Sequence, residues 1–239
     1  MSKPTHFMPL YAQVKELLTQ RLIDKVWTPG MALPSEFQLA DELSVSQGTV
    51  RKALDEMAAE KLVIRRQGKG TYVAEHTQEQ PLYHFFRFVD NDGNRHLPDS
   101  KLESIVRKKA TPLEARSLGL KNSDKVVRIH RVRWLGGQPV INEVVSLPDG
   151  LFDNAEVPSD LPNILYSYYQ QDLGVSIVKV SEKLTAESAS ASDHQTLGVE
   201  VGTPILQALR VAYSLDGRAV EMRQTRCHTD QYHYLNELT

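Results

Sequence analysis

Residues 33–73 constrain this chain more than any other stretch. LPSEFQLADELSVSQGTVRKALDEMAAEKLVIRRQGKGTYV sets two short helical patterns around a tight turn, then strand, glycine turn and strand. Ser35 suits an N-cap, and Gln38, three residues on, can close a capping box. Phe37, Leu39, Ala40 and Leu43 follow as the apolar pattern of the first helix. Ser44-Val45-Ser46 makes the turn, and Ser46 caps a second helix predicted from about Gln47 to about Glu60. Val50, Ala53, Leu54, Met57 and Ala58 recur at three- and four-residue spacing, which gives that helix one apolar face. Upstream, Leu10, Val14, Leu17, Leu18 and Leu22 mark a helix that covers the other two. Leu62-Val63-Ile64 and Thr71-Tyr72-Val73 pair around Gln67-Gly68-Lys69-Gly70. This is the layout of a winged helix-turn-helix, and it makes double-stranded DNA the expected partner.

Within that layout the DNA-facing candidates separate by chemistry. Ser35 and Glu36 open the first helix. Ser46, Gln47, Gly48, Thr49, Arg51 and Lys52 occupy the cap and first two turns of the second, the part of a recognition helix that reaches base edges. Gly48 is costly inside a helix; it is either a tolerated N-terminal glycine or a point of close backbone approach to DNA. Arg65, Arg66, Gln67, Gly68, Lys69 and Gly70 form the wing. Its cations suit phosphates, which set register and salt dependence rather than sequence choice.

The net charge of −2 argues weakly against a nucleic-acid binder, but its distribution does not. Residues 46–71 hold six basic and three acidic side chains, so basic charge concentrates on the reading helix and wing. The small excess predicts a salt-sensitive, dimer-assisted binder. No apolar run approaches the ~18 residues of a membrane span, and Lys3, Pro4 and His6 interrupt any signal-like core. Cys227 is the sole cysteine, which excludes an intrachain disulfide and fits a reducing cytoplasm.

A chain of 239 residues has room for a second domain. Ala74–Pro81 is polar, aperiodic and ends in proline, so the reading is a DNA-binding domain at 1–74, a linker at 75–82 and a larger domain at 83–239. That domain mixes strands and helices into an α+β chain with a mostly antiparallel sheet. Strands are predicted at Tyr83–Asp90, Leu102–Lys109 and Val175–Ala186, and helices at Pro112–Leu118, Pro162–Leu173 and Ala189–Leu197. Hairpins are predicted at Val126–Leu135 with Gln138–Leu147, and at Pro204–Ser214 with Arg218–His228, around Gly136-Gly137 and Asp216-Gly217. The order strand, helix, Leu-Gly, strand, glycine turn, strand occurs twice, with Glu143 and Glu221 in the two last strands. The repeat predicts one sheet made of two related halves.

The quoted N-terminal motif resembles the GntR family of bacterial transcriptional regulators. The second domain resembles the UTRA sensor domain of the HutC-type branch. The marks are Arg131-Val132-Arg133, Pro139 to Glu143 followed by Leu147-Pro148, and the stretch Gly217, Glu221, Tyr232. The resemblance covers nearly the whole chain. It implies a homodimeric repressor on a two-fold symmetric operator, a chorismate-lyase-like sensor fold, and release or re-spacing of the DNA domains by a small metabolite. Gln47 and Phe37 stand where many relatives carry arginine, so no operator sequence is carried over.

Arg131 and Arg133 are two apart on a strand and share a face. Paired guanidinium forks suit a phosphate or carboxylate; the bland alternative is a strand face with carboxylate partners, with Arg128 close by. The resemblance favours effector binding on this strand. Glu143 and Glu221 suit either effector hydroxyls and amines or those arginines. Tyr166, Tyr168 and Tyr169 suit core and dimer packing more than a pocket wall, with Tyr166 kept as an effector candidate. Tyr232 and Tyr234 are placed to close over the site, and Arg95 and His96 lie in a lid-length loop, Asn91–Ser100.

An enzyme reading finds little. His130, His194 and His228 lack metal-ligand spacing, Cys227 and His228 face opposite ways on a strand, and no phosphate-binding glycine loop is present. No catalytic residue, metal or cofactor is expected. The alternative functions are a small-molecule-binding protein or a lyase-like enzyme with an accessory helix-turn-helix.

Overall fold

The computed structural model describes residues 8–75, 85–152, 158 and 161–237. Apart from Glu75, the expected linker falls outside these residues, as does the start of the strand expected at Tyr83. The chain divides into two compact units, Met1–Glu75 and His76–Thr239.

The first unit carries helices α1 (Leu10–Ile23), α2 (Glu36–Glu42) and α3 (Gln47–Ala59), then strands β1 (Val63–Arg66) and β2 (Gly70–Val73). The caps form as their residue types dictate. Ser35 and Gln38 close a reciprocal capping box on α2, and Ser46 accepts the Thr49 amide at the start of α3. Leu18, Leu39, Val50, Ala53, Leu54 and Met57 are buried where the helices meet. Each large side chain there contributes about 1.5–3 kcal/mol, so Leu54→Ala removes about 2–5 kcal/mol. Leu10 and Leu17 are instead on the outward face of α1, about half exposed. Arg66 pairs with Gly70 across the wing turn, where Gly68 and Gly70 both have positive φ.

In the second unit, β4 (Asp99–Lys109), β5 (Lys125–Leu135), β6 (Gln138–Pro148), β7 (Ile177–Ser188), β8 (Pro204–Ser214) and β9 (Ala219–Cys227) form one six-stranded sheet. Its spatial order is β4-β5-β6-β9-β8-β7, antiparallel throughout. The halves β4-β5-β6 and β7-β8-β9 meet where β6 pairs with β9, as the repeat predicts. Gly136 and Gly137, both at positive φ, form the two-residue turn that fits the twist of the first hairpin.

A separate two-stranded ribbon joins β3 (Phe88–Asp90) to β10 (Tyr232–Tyr234). Within the described residues, the expected strand over 83–90 is therefore confined to its last three positions, because its partner is three residues long.

Helices α4 (Pro112–Leu118) and α6 (Ala191–Leu197) cover one face of the sheet; α5 (Leu165–Gln171) covers the other. Each of α4 and α6 opens with a capping box, Thr111 with Glu114 and Ser190 with Asp193. Both capping carboxylates also reach the sheet. Glu114 accepts from Arg128 and Ser146, and Asp193 accepts from Arg226 and Asn142. The helices cross between halves: α4 lies against β9 and α6 against β6. On the α5 side an apolar cluster including Val127, Ile129, Val145, Leu147 and Tyr169 fills one end of the sheet. A second, including Phe88, Leu135, Ile141 and Cys227, fills the other. The charged cluster described next lies in the rows between them.

Candidate functional site

On the first unit, Gln47, Gly48, Arg51 and Lys52 form the exposed face of the first turns of α3. Ser46 is tied into the cap, its hydroxyl 2.8 Å from that of Thr49. Glu36 organises the surface behind them. Its carboxylate accepts from Arg51 at 2.9 Å and from Arg65 of the wing, and the Gln47 amide approaches at 3.4 Å. Hydrogen bonding from Arg51 outweighs partial burial and holds the Glu36 carboxyl below its usual range. Glu36 thus ties α3 to the wing. Arg65 also pairs with Asp55, Lys52 stacks on Tyr11 at 3.8 Å, and Arg66 stacks on Tyr72 at 4.6 Å. A Cβ on Gly48 would meet only the Ser46 hydroxyl, at 3.8 Å. Among the described residues, nothing requires glycine there. Gln67 and Lys69 are exposed at the wing tip.

The second unit holds a cleft of about 590 Å³, open to solvent, on the α5 side of the sheet. Strand alternation and register build its floor. Arg131 and Arg133 leave β5 on one face, Glu143 lies directly across from Arg131 on β6, and Arg223 of β9 lies across from Arg210 of β8. Phe85, Phe86, Phe88 and Leu165 supply apolar lining, and Tyr166, Tyr234, Asn163 and Arg87 supply polar lining.

The floor is a connected ion network. Arg131 Nε donates to Glu143 at 2.5 Å and its Nη1 to the Asn163 carbonyl at 3.1 Å. Arg223 donates to Glu143 at 3.1 Å and grips both oxygens of Glu221 at 2.8 and 2.9 Å. Glu221 also accepts from the Tyr166 and Tyr169 hydroxyls at 3.1 and 2.8 Å. Arg210 pairs with Glu182 at 2.8 Å, and Tyr234 donates to the same carboxylate. Burial opposes ionisation of Glu143, yet Arg131, Arg223 and Arg133 hold its carboxyl far below the usual range. Burial pushes the Tyr166 hydroxyl up to about 12, aided by Glu221. Arg133 differs from the other arginines. Its nearest carboxylate contact is Nη1 to Glu143 at 3.6 Å, and burial together with the Arg131 charge pulls it down to about 9.

The expected effector residues are thus only partly gathered. Arg131, Arg133, Glu143 and Tyr166 line the cleft. Glu221 does not; it is fully buried and its oxygens are taken by Arg223 and two tyrosines. Tyr232 does not line it either, its hydroxyl lying over Gly136, whereas Tyr234 does. Arg128 points to the opposite face and pairs with Glu114, because it is an odd number of residues from Arg131. His96 and Arg95 are engaged with Asp90 and Glu237, at 2.6 and 3.6 Å. Sequence reasoning missed Arg210, Arg223 and Glu182. One signal was available: Arg210-Val211-Ala212-Tyr213 repeats Arg131-Val132-Arg133-Trp134, which puts Arg210 in the place of Arg131.

Two family descriptions match the chain: bacterial regulatory proteins of the gntR family over residues 10–73, and the UTRA domain over residues 94–233. The HTH-type transcriptional repressor NagR of Bacillus subtilis is 28% identical, the match covering 97% of each protein. The histidine utilization repressor of Pseudomonas putida is 27% identical over 86% of this chain and 83% of that protein. Among solved structures, the ligand-binding domain of a putative GntR-family regulator from Bordetella bronchiseptica superposes with a TM-score of 0.58 at 32% identity. It covers 64% of this chain and 96% of that one. PhnF from Mycobacterium smegmatis shares the fold along 95% of this chain and 99% of its own, with a TM-score of 0.56 at 22% identity. No described helix is long and apolar enough to cross a membrane. The chain therefore belongs to the GntR family of bacterial transcriptional regulators, in the branch that carries a UTRA domain, and is a regulator rather than an enzyme.

Proposed function

We propose that this protein is a cytoplasmic, homodimeric repressor whose operator binding is modulated by an anionic metabolite held in the second unit. One observation carries the effector reading: among the described residues, the ion network beneath the cleft joins four arginines, Arg131, Arg133, Arg210 and Arg223, to three carboxylates, the lining Glu143 and Glu182 and, behind them, Glu221, which leaves the network one positive charge in excess. A buried excess charge is expensive unless paired, and an anionic ligand supplies the pair. The names of relatives support a metabolite theme, since one is the repressor of a mannosyl-D-glycerate transport and metabolism system and another governs histidine utilization. The exposed face of α3 and the basic wing support a two-fold operator read in the major groove, with Gln47, Thr49 and Arg51 at base edges and Arg65, Arg66 and Lys69 near phosphates. The effector shifts operator affinity by as much as it discriminates between the free and DNA-bound states.

The test is fluorescence anisotropy on an operator selected from genomic fragments. Arg51→Ala lowers affinity by about 1–3 kcal/mol if Arg51 reads a base. An unchanged Kd removes it from the interface, and no specific component above the salt-sensitive background would overturn the regulator reading.

A further inference from the structure

Three buried polar atoms of residues lining the cleft have no hydrogen-bond partner among the described residues: Nε and Nη2 of Arg133 and Oδ1 of Asn163. Their arrangement is specific. Arg133 turns Nη1 toward Glu143, so the unpaired atoms form one complete edge of the guanidinium, two parallel N–H donors. The other floor arginines have no such edge to offer. Nε and Nη2 of Arg223 are on Glu221, those of Arg210 are on Glu182, and Arg131 Nε is on Glu143. Asn163 is fixed as an acceptor, because its Nδ2 donates to the Pro98 carbonyl at 2.7 Å. Its backbone carbonyl takes Arg131 Nη1, so it sits one side chain away from the Glu143 cluster.

We infer that the cleft is built for a carboxylate bearing its own hydroxyl or N–H donor, and selects such a ligand over a phosphate dianion. This rests on the anionic-effector reading above. A guanidinium edge presents two donors in a plane, which a carboxylate or a phosphate can accept, so charge decides between them. One negative charge balances the excess of the buried ion network, whereas a dianion would bring a second charge for which that network has no buried cation left. The other lining cation, Arg87, is half-buried and keeps part of its hydration, so its charge does not need a ligand as that of buried Arg133 does. The ligand's donor goes to Asn163 Oδ1, which burial would otherwise leave unsatisfied. The lining phenylalanines take the carbon skeleton.

The experiment is a thermal-shift series on the full-length protein with glycolate, acetate, inorganic phosphate and sulfate, each against sodium chloride at equal ionic strength. Glycolate is the smallest probe that carries a carboxylate with a neighbouring hydroxyl. It raises Tm by about 2–4 °C at ~5 times its Kd and exceeds acetate at equal concentration. Phosphate and sulfate do no more than chloride. Arg133→Gln abolishes the glycolate effect, and Asn163→Ala brings glycolate down to the level of acetate. Should Arg133→Gln fail to fold, Arg133→Lys keeps the charge without the two-donor edge and loses the glycolate advantage equally. Phosphate or sulfate matching glycolate overturns the carboxylate selection while leaving the anionic-effector reading in place. Glycolate equal to acetate overturns the donor requirement. No anion exceeding chloride overturns both the selection and the anionic reading.

Discussion

Gly48 and Arg133 are residues whose surroundings do not explain them by internal packing. Gly48 lies in regular helix at negative φ with open space around it, where alanine would be favoured by about 0.5–1 kcal/mol. Gly48→Ala therefore raises the denaturation midpoint in urea while weakening operator binding by anisotropy. If the variant binds as tightly as the parent, close backbone approach at this position is wrong. Arg133 is the converse case, a residue the fold would do better without. Its partners in the sheet row are Ile141 and Cys227, both apolar, and its counterpart in the second half of the repeat is Ala212. The pair Arg131 and Arg133 was legible from strand alternation alone. Which of them is committed to a carboxylate was not, since that depends on where Arg223 arrives from β9, 90 residues further along the chain.

The elements with strong local signals appear in the structure where the sequence puts them. Pro112–Leu118, with proline at its start and Gly119 at left-handed φ after it, and Pro204–Ser214 match to the residue. Elements set by distant partners shift. The expected helix at Pro162–Leu173 shortens to Leu165–Gln171, since Asn163 ahead of it is held by Pro98 and Arg131 in a non-helical position. Phe85 and Phe86 look strand-like in sequence but line the cleft, Phe85 edge-on to Tyr166 at 5.2 Å. The capping carboxylates make a prediction at this scale. Burial opposes the charge of Glu114, but Arg128, Ser146 and Thr111 outweigh it and pull its pKa from 4.5 to about 2. A carboxyl depressed in the folded state adds stability that is fully present above its unfolded pKa and is lost as pH falls toward the folded value. Glu114→Gln thus lowers stability at neutral pH and flattens the decline between about pH 4.5 and 2. Urea unfolding across that range checks it; an unaltered acid limb would show that the carboxylate contributes nothing through its charge.

At the scale of the whole molecule, two compact units with separate cores predict departure from two-state unfolding. Scanning calorimetry is expected to resolve two transitions, with Leu54→Ala lowering only one. A single transition that moves as a whole would mean the units unfold together. The two units also differ in how far their contacts reach along the chain. The helix-turn-helix closes within residues 10–73, through neighbours in sequence. The second unit's ribbon pairs Phe88–Asp90 with Tyr232–Tyr234, and its halves join through β6 and β9 with α4 and α6 each lying over the other half. During synthesis, which delivers the chain from its N-terminus, the reading head has all its contacts early. The cleft lacks Arg223, Thr225 and Tyr234 until almost the last residues emerge. A message cut short near its 3′ end therefore yields a protein with a complete helix-turn-helix and an unfinished cleft.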